Sequence, residues 1–159
     1  MDKPPLKLPA LDPAGVPAVA GSNYPVAFKP RVAGRSKQKL GDALGLKNFG
    51  VNLTTIKPGA ASALRHWHVK QDEFIYIVSG ELTLVTDAGE QLLTAGMCAG
   101  FPAGAANAHH LVNRADRDAI YLEVGDRAPG DCATYPDDDI VAKAVDDGWQ
   151  FTRKDGTPY

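Results

Sequence analysis

His66, Trp67 and His68 place two imidazoles one residue apart. Neighbouring side chains on a strand point to opposite faces, so the histidines share one face and Trp67 takes the other. Two imidazoles on one face of one strand are half of a transition-metal site. Glu73 is the carboxylate that would join them, and parity is against it. On an unbroken strand residues 66, 68, 70 and 72 would share a face. A turn or bulge through Lys70-Gln71-Asp72, a polar stretch suited to one, resets the alternation. Beyond it Glu73, Ile75 and Ile77 share the interior, while Phe74, Tyr76 and Val78 face outward.

The other two of the four histidines are adjacent, at His109 and His110. Along 109–113, His109, Leu111 and Asn113 share one face and His110 and Val112 the other, so only one histidine of the pair points inward. Chance would scatter four histidines; these fall in two clusters.

The elements that must position these groups are short and β-rich. Runs rich in β-branched and aromatic residues occur at FGVNLTTI, ALRHWHV, EFIYIVSG, ELTLVT, EQLLTAG, MCAGF, HHLVN and AIYLEVG. Turn residues separate them at Lys57-Pro58-Gly59, Ser79-Gly80, Asp87-Ala88-Gly89 and Pro102-Ala103-Gly104. Many short strands with no helical pattern between them predict an all-β fold, a double-sheet jelly-roll barrel. Seven prolines between Pro4 and Pro30 predict an extended arm over residues 1–40 without helix. The barrel is expected over 41–130, and a C-terminal tail packing on it over 131–159. Small helical pieces are expected at Asp42–Gly45 and Asp139–Asp147.

Two longer patterns carry a family resemblance. Gly59-x6-His66-x-His68-x4-Glu73-x6-Gly80 resembles the first motif of the cupins, and Gly96-x5-Pro102-x-Gly104-x4-His109-x3-Asn113 resembles the second. The stretch between Gly104 and the histidine is two residues longer than the family's usual spacing, and Met97 stands where an aspartate is common. The flanks, including Gly21-Ser22-Asn23-Tyr24-Pro25 and Tyr135-Pro136-Asp137, are similar to a bacterial subfamily of small single-domain, RmlC-like cupins. The resemblance implies one divalent transition metal held by His66, His68, Glu73 and His109, with His110 as the alternative fourth ligand. Asn113, His110, Ile75, Ile77 and Tyr121 are candidates for the surroundings of the site. Donors of this kind suit Fe, Mn, Ni, Co or Zn without choosing among them. Affinity requires neutral imidazoles, so metal loss is expected below about pH 6.

Such a centre predicts an enzyme acting on a small oxygenated organic substrate by dioxygenase, isomerase or lyase chemistry. Glu73 is the candidate for proton transfer. The alternative is a non-catalytic small-molecule binder or metal-dependent sensor. The net charge of −2 and the lack of a basic stripe or DNA-binding module predict no nucleic-acid partner. No apolar run is long enough to span a bilayer, and the proline-rich start is unlike a signal peptide, so a cytoplasmic protein without a membrane partner is expected. Cys98 and Cys132 cannot form a disulfide framework, and Cys98 is expected to pack as a small buried hydrophobe. Residues 29–39 read as a basic solvated loop and Asp137-Asp138-Asp139 as an acidic one. Pairing of arm and tail across a dimer is the alternative. An extended arm and open strand edges predict a homodimer.

Overall fold

The protein is described by a computed structural model covering residues 6–146 and 148–159. Its strands are β1 (Ala18–Ala20), β2 (Arg35–Lys39), β3 (Phe49–Ile56), β4 (Trp67–His68), β5 (Glu73–Ser79), β6 (Glu81–Thr86), β7 (Gly89–Thr94), β8 (Cys98–Phe101), β9 (His110–Val112), β10 (Ala119–Asp126), β11 (Cys132–Thr134), β12 (Val141–Val145) and β13 (Gly148–Thr152). A single helical turn, α1 (Leu40–Ala43), follows β2. Gly45, at φ +73°, occupies the left-handed region just beyond it, where a glycine ends a helix most readily.

The strands form a six-stranded sheet in the order β1-β2-β3-β10-β5-β8, a four-stranded sheet β13-β12-β11-β4 and a three-stranded sheet β7-β6-β9. The result is an all-β jelly roll. Ser79-Gly80 joins β5 to β6 so tightly that only glycine fits. A Cβ on Gly80 would lie 3.0 Å from the backbone of Asp118 and Ala119, and its φ is +74°.

Two cores hold the sheets. Ile56, Ile75, Ile77, Leu82, Leu84, Leu93, Leu111, Ala119 and Tyr121 fill the space between the six- and three-stranded sheets. Tyr24, Val32, Leu64, Ala133, Tyr135, Ile140 and Ala142 make the second, joining residues of arm and tail. The burial along β5 follows the expected parity. Ile75 and Ile77 are buried, while Phe74, Tyr76 and Val78 are each more than two-fifths exposed.

Several expectations are corrected. The arm is not free of helix, since 3₁₀ turns occupy Pro13–Gly15 and Val26–Val32. Proline is compatible with these short pieces. Pro13 sits where no N–H is needed, and Asp12 caps the turn by accepting from Ala14 N at 2.9 Å. The later part of the arm does not merely lie on the surface, because β1 and β2 extend the largest sheet beyond β3. The helix expected over Asp139–Asp147 is instead β12, paired with β13 as an antiparallel hairpin. Its period-two pattern, with Ala142 buried and Lys143 exposed, is satisfied by that partner; Asp147 itself lies outside the described residues, as do residues 1–5. Cys98 is exposed rather than buried, because it stands with Tyr76 on the outer face of the sheet. Among the described residues no helix is long and apolar enough to cross a membrane.

Strand register decides what the six-stranded sheet presents inward. Ile75 pairs with Glu123, which pairs with Asn52, which pairs with Lys39. The next row reads Ile77, Tyr121, Thr54 and Lys37. Glu73 heads a row continued by Gly125 and Gly50, so no side chain crowds the glutamate from those strands.

Candidate metal centre

The turn needed between His68 and Glu73 is present. Bends at Val69 and Lys70 end β4, and β5 begins at Glu73 with its side chain turned inward. His66 reaches the same place by pairing its backbone with His109, each N–H donating to the other's carbonyl at 2.8 and 3.1 Å. His109 turns toward Glu73, whereas His110 Nδ1 donates to the Ala63 carbonyl at 3.0 Å and joins no cluster with it.

His66, His68 and Glu73 offer ligand atoms that all lie within 4.8 Å of one another. His66 Nε2 is 3.9 Å from Glu73 Oε2 and His68 Nε2 is 3.7 Å from Glu73 Oε1. His109 Nε2 donates to Glu73 Oε2 at 2.9 Å. The outer nitrogens of the first two rings are already committed. His66 Nδ1 donates to the Leu64 carbonyl at 2.7 Å and His68 Nδ1 to Asp131 Oδ2 at 2.5 Å. With their protons on Nδ1, both rings turn an Nε2 lone pair toward a carboxylate. Lone pairs facing oxygen across such a gap repel unless a cation lies between them, so the donor set fits a divalent metal.

The electrostatics agree with that donor set. Burial, reinforced by the neighbouring imidazoles, holds His66 down at about 4, so its ring is neutral at pH 7. Burial alone would push Glu73 up, but the hydrogen bond from His109 and the three surrounding imidazoles outweigh it and hold the carboxyl well below its usual range. A neutral His66 and an ionised Glu73 are the forms that would bind metal.

Sequence reasoning missed the supports contributed by the tail. Asp131, with no exposed surface, also accepts from Lys70 N at 2.7 Å, tying His68 to the turn that follows it. Tyr135 stacks on His66 with ring centroids 5.5 Å apart, and Trp149 meets His68 edge-on at 5.7 Å. Tyr135 fell within a stretch of family resemblance that assigned it no role, and Asp131 and Trp149 carried no local signal.

A cavity of about 550 Å³ opens from the histidines and Glu73 across the inward face of the sheet. Ile75 and Leu111 border it, as expected of an apolar wall, but another stretch of its lining is polar. There Glu123 accepts from Tyr121 Oη at 2.8 Å and from Asn52 Nδ2 at 2.9 Å, and is ion-paired with Lys37. Burial would raise the Glu123 carboxyl; the Lys37 ammonium and these hydrogen bonds hold it below its ordinary value instead. Tyr121 is buried, with its hydroxyl pushed well up by burial and by Glu123. Ile77 packs in the core behind the cavity. Asn113 is a brace: its Nδ2 donates to the carbonyls of Ile56 and Arg117, each at 2.8 Å, and its Oδ1 accepts from Ala115 N.

Against known proteins, a cupin domain matches residues 52–125, the span carrying both histidine clusters. A sugar phosphate isomerase of the cupin superfamily from Silicibacter pomeroyi is 48% identical over 95% of this chain and 96% of its own, with a TM-score of 0.91. The chain belongs to the cupin superfamily. A second structure of this cupin's kind, from Acidithiobacillus ferrooxidans, bears a provisional designation as a sugar phosphate isomerase; it is 28% identical, covers 83% of each chain and has a TM-score of 0.74. The polyketide cyclase RemF from Streptomyces resistomycificus, at 20% identity over 74% of this chain and 78% of its own, shares the cupin fold with a TM-score of 0.62. A search of curated proteins finds no match.

Proposed function

We propose that this cupin is a metal-dependent isomerase of a small phosphorylated sugar, with His66, His68, Glu73 and His109 as the ligands. The observation that carries the reading is a cavity in which this donor set faces a second carboxylate, Glu123, committed to no imidazole. The designation of the 48% identical Silicibacter protein supports it. A bound divalent metal would act as a Lewis acid toward the carbonyl and neighbouring hydroxyl oxygens of an open-chain sugar.

The chain's own residues supply the rest. Isomerisation moves one proton from the hydroxyl-bearing carbon beside the carbonyl to the carbonyl carbon and a second from that hydroxyl to the former carbonyl oxygen, with no net oxidation and no co-reactant. Glu73 is held by three imidazoles and serves as a ligand, so the proton-transfer role falls to Glu123. Its register partner is Ile75, two residues along β5 from Glu73, so the two carboxylates are diagonal neighbours on one sheet face, with Cα atoms roughly 7–8 Å apart. Tyr121 and Asn52 orient the Glu123 carboxylate, and Lys37 keeps it ionised and able to accept a proton. The apolar wall at Ile75 and Leu111 limits water around the reacting carbons.

Protein loaded in turn with Fe, Mn, Co, Ni and Zn and mixed with aldose phosphates should convert one of them to its ketose phosphate, followed by carbon NMR. Glu123→Gln should retain metal and lose turnover by about 10²–10⁴-fold. Tight binding without turnover in every metal form would replace the enzyme with a binding protein. For assembly, a homodimer is proposed on the exposed outer face of β5, where Phe74, Tyr76 and Val78 lie side by side. Phe74→Lys with Tyr76→Lys should halve the mass measured by light scattering, and a monomeric parent protein would dismiss the dimer.

A further inference from the structure

The basic stretch at 29–39 does not form one solvated face. Arg31 pairs with Asp138 at 2.5 Å within the same chain, joining arm to tail without a dimer. The rest divides by strand parity. Arg35, Lys37 and Lys39 alternate along β2 and stand in register with Ile56, Thr54 and Asn52 of β3. Those residues pair in turn with Ala119, Tyr121 and Glu123, the inward positions of β10. All three cations therefore stand on the cavity side of the sheet and border the 550 Å³ cavity, Arg35 and Lys37 half-buried and Lys39 exposed, while Ser36 and Gln38 take the other face.

Cations turned toward a cavity are best matched by anions. Lys37 has its anion in Glu123. Arg35 and Lys39 have none: among the described residues no carboxylate oxygen lies within 4.0 Å of either. Arg35 donates instead to the carbonyls of Ser62 and of Gly21, the latter at 3.0 Å, and its Nε is buried without a partner. Carbonyls orient a guanidinium without neutralising it. The cavity side of the sheet thus carries two cations without a carboxylate partner on either side of a neutralised Lys37–Glu123 pair.

We propose that Arg35 and Lys39 hold the phosphate of the cavity's ligand, with the ligand's other end turned to the metal donors. This rests on the isomerase reading for the identity of the ligand, but the anion site itself rests on charge and register. An arginine fork and a lysine ammonium, one on either side of Lys37, supply the charge a tetrahedral dianion needs.

Inorganic phosphate titrated into metal-free protein, followed by calorimetry, tests the site without metal or turnover. The parent protein should bind phosphate saturably, and Lys39→Met and Arg35→Met should each weaken it by tenfold or more. Lys57→Met, at an exposed lysine 3.9 Å from Asp118, should leave binding unchanged. Since Arg35 also ties two loops together, Arg35→Lys provides a folded variant that keeps the charge and should retain most of the binding. Among the described residues the Lys39 side chain makes no hydrogen bond or ion pair, so Lys39→Met remains decisive if Arg35→Met does not fold. Absence of saturable binding, equal binding in Lys39→Met, or acetate binding as tightly as phosphate would overturn the proposal. The two readings fail separately. Phosphate binding without isomerisation of any sugar phosphate defeats the enzyme and keeps the anion site. Isomerisation with an unchanged KM in Lys39→Met defeats the anion site and keeps the enzyme.

Discussion

The histidines that approach Glu73 are held in two different ways. His66 and His68 have their outer nitrogens fixed by a backbone carbonyl and by the buried carboxylate of Asp131, so each ring's orientation and tautomer are set before any ligand arrives. His109 has no such anchor. Its Nδ1 is buried without a partner, and its Nε2 carries the proton donated to Glu73. What holds the ring is Phe101, stacked face to face with it at a centroid separation of 3.5 Å and an angle of 4°. Binding metal through Nε2 would require His109 to move its proton to a nitrogen with no acceptor. The first histidine cluster is therefore arranged as metal binding would require, and the second would join only at a cost.

That contrast can be broken in graded steps. His68→Ala and Glu73→Ala should abolish stoichiometric metal by elemental analysis, whereas His109→Ala should retain a weaker, partial occupancy. Equal losses in all three would erase the distinction. Asp131→Asn, which removes the charge behind His68, should weaken metal affinity by about 10–100-fold while leaving the ligands in place. With one acceptor oxygen left for two donors, either the Lys70 N–H or the His68 Nδ1–H loses its partner, which should lower stability by about 1–3 kcal/mol in denaturant unfolding.

The third step concerns pH. His66 is held at about 4 by burial, against about 6.5 in an unfolded chain, so below 6.5 the unfolded state takes up a proton that the fold refuses. Metal-free protein should lose stability as pH falls from about 6.5 to 4, and His66→Gln should flatten that part of the profile. A denaturation midpoint constant across this range would contradict the neutral, buried ring. Phe101→Ala removes the stacked support, worth about 1 kcal/mol beyond the ring's packing on the core, and should reduce metal affinity less than Asp131→Asn does. The smallest effect is expected at His110→Ala, which should leave metal content unchanged. A drop there as large as that in His109→Ala would overturn the assignment within the pair.

Strand parity made much of the site legible in one dimension. It placed His66 with His68, required the turn before Glu73 and allowed only one of His109 and His110 to face inward. The same rule separated Ile75 and Ile77 from Phe74, Tyr76 and Val78. It failed where a strand was not recognised. Arg35-Ser36-Lys37-Gln38-Lys39 has the alternation of a half-buried strand, but its inward positions carry charge rather than apolar groups, so it resembled a loop. In the tail, Val141-Ala142-Lys143-Ala144-Val145 lacks the aromatic residues that mark strands, and an alanine-rich run flanked by aspartates suits a short helix equally well.

The sequence by itself determined the donor types, their spacing and the face each occupies, because those follow from local chain geometry. Only the tertiary structure decided what stands behind and across from them. Asp131 reaches His68 from 63 residues away, Tyr135 covers His66, and β2 turns its cations toward Glu123. Those contacts depend on which strand pairs with which and in what register, a property of the assembled sheets that no local window of residues contains.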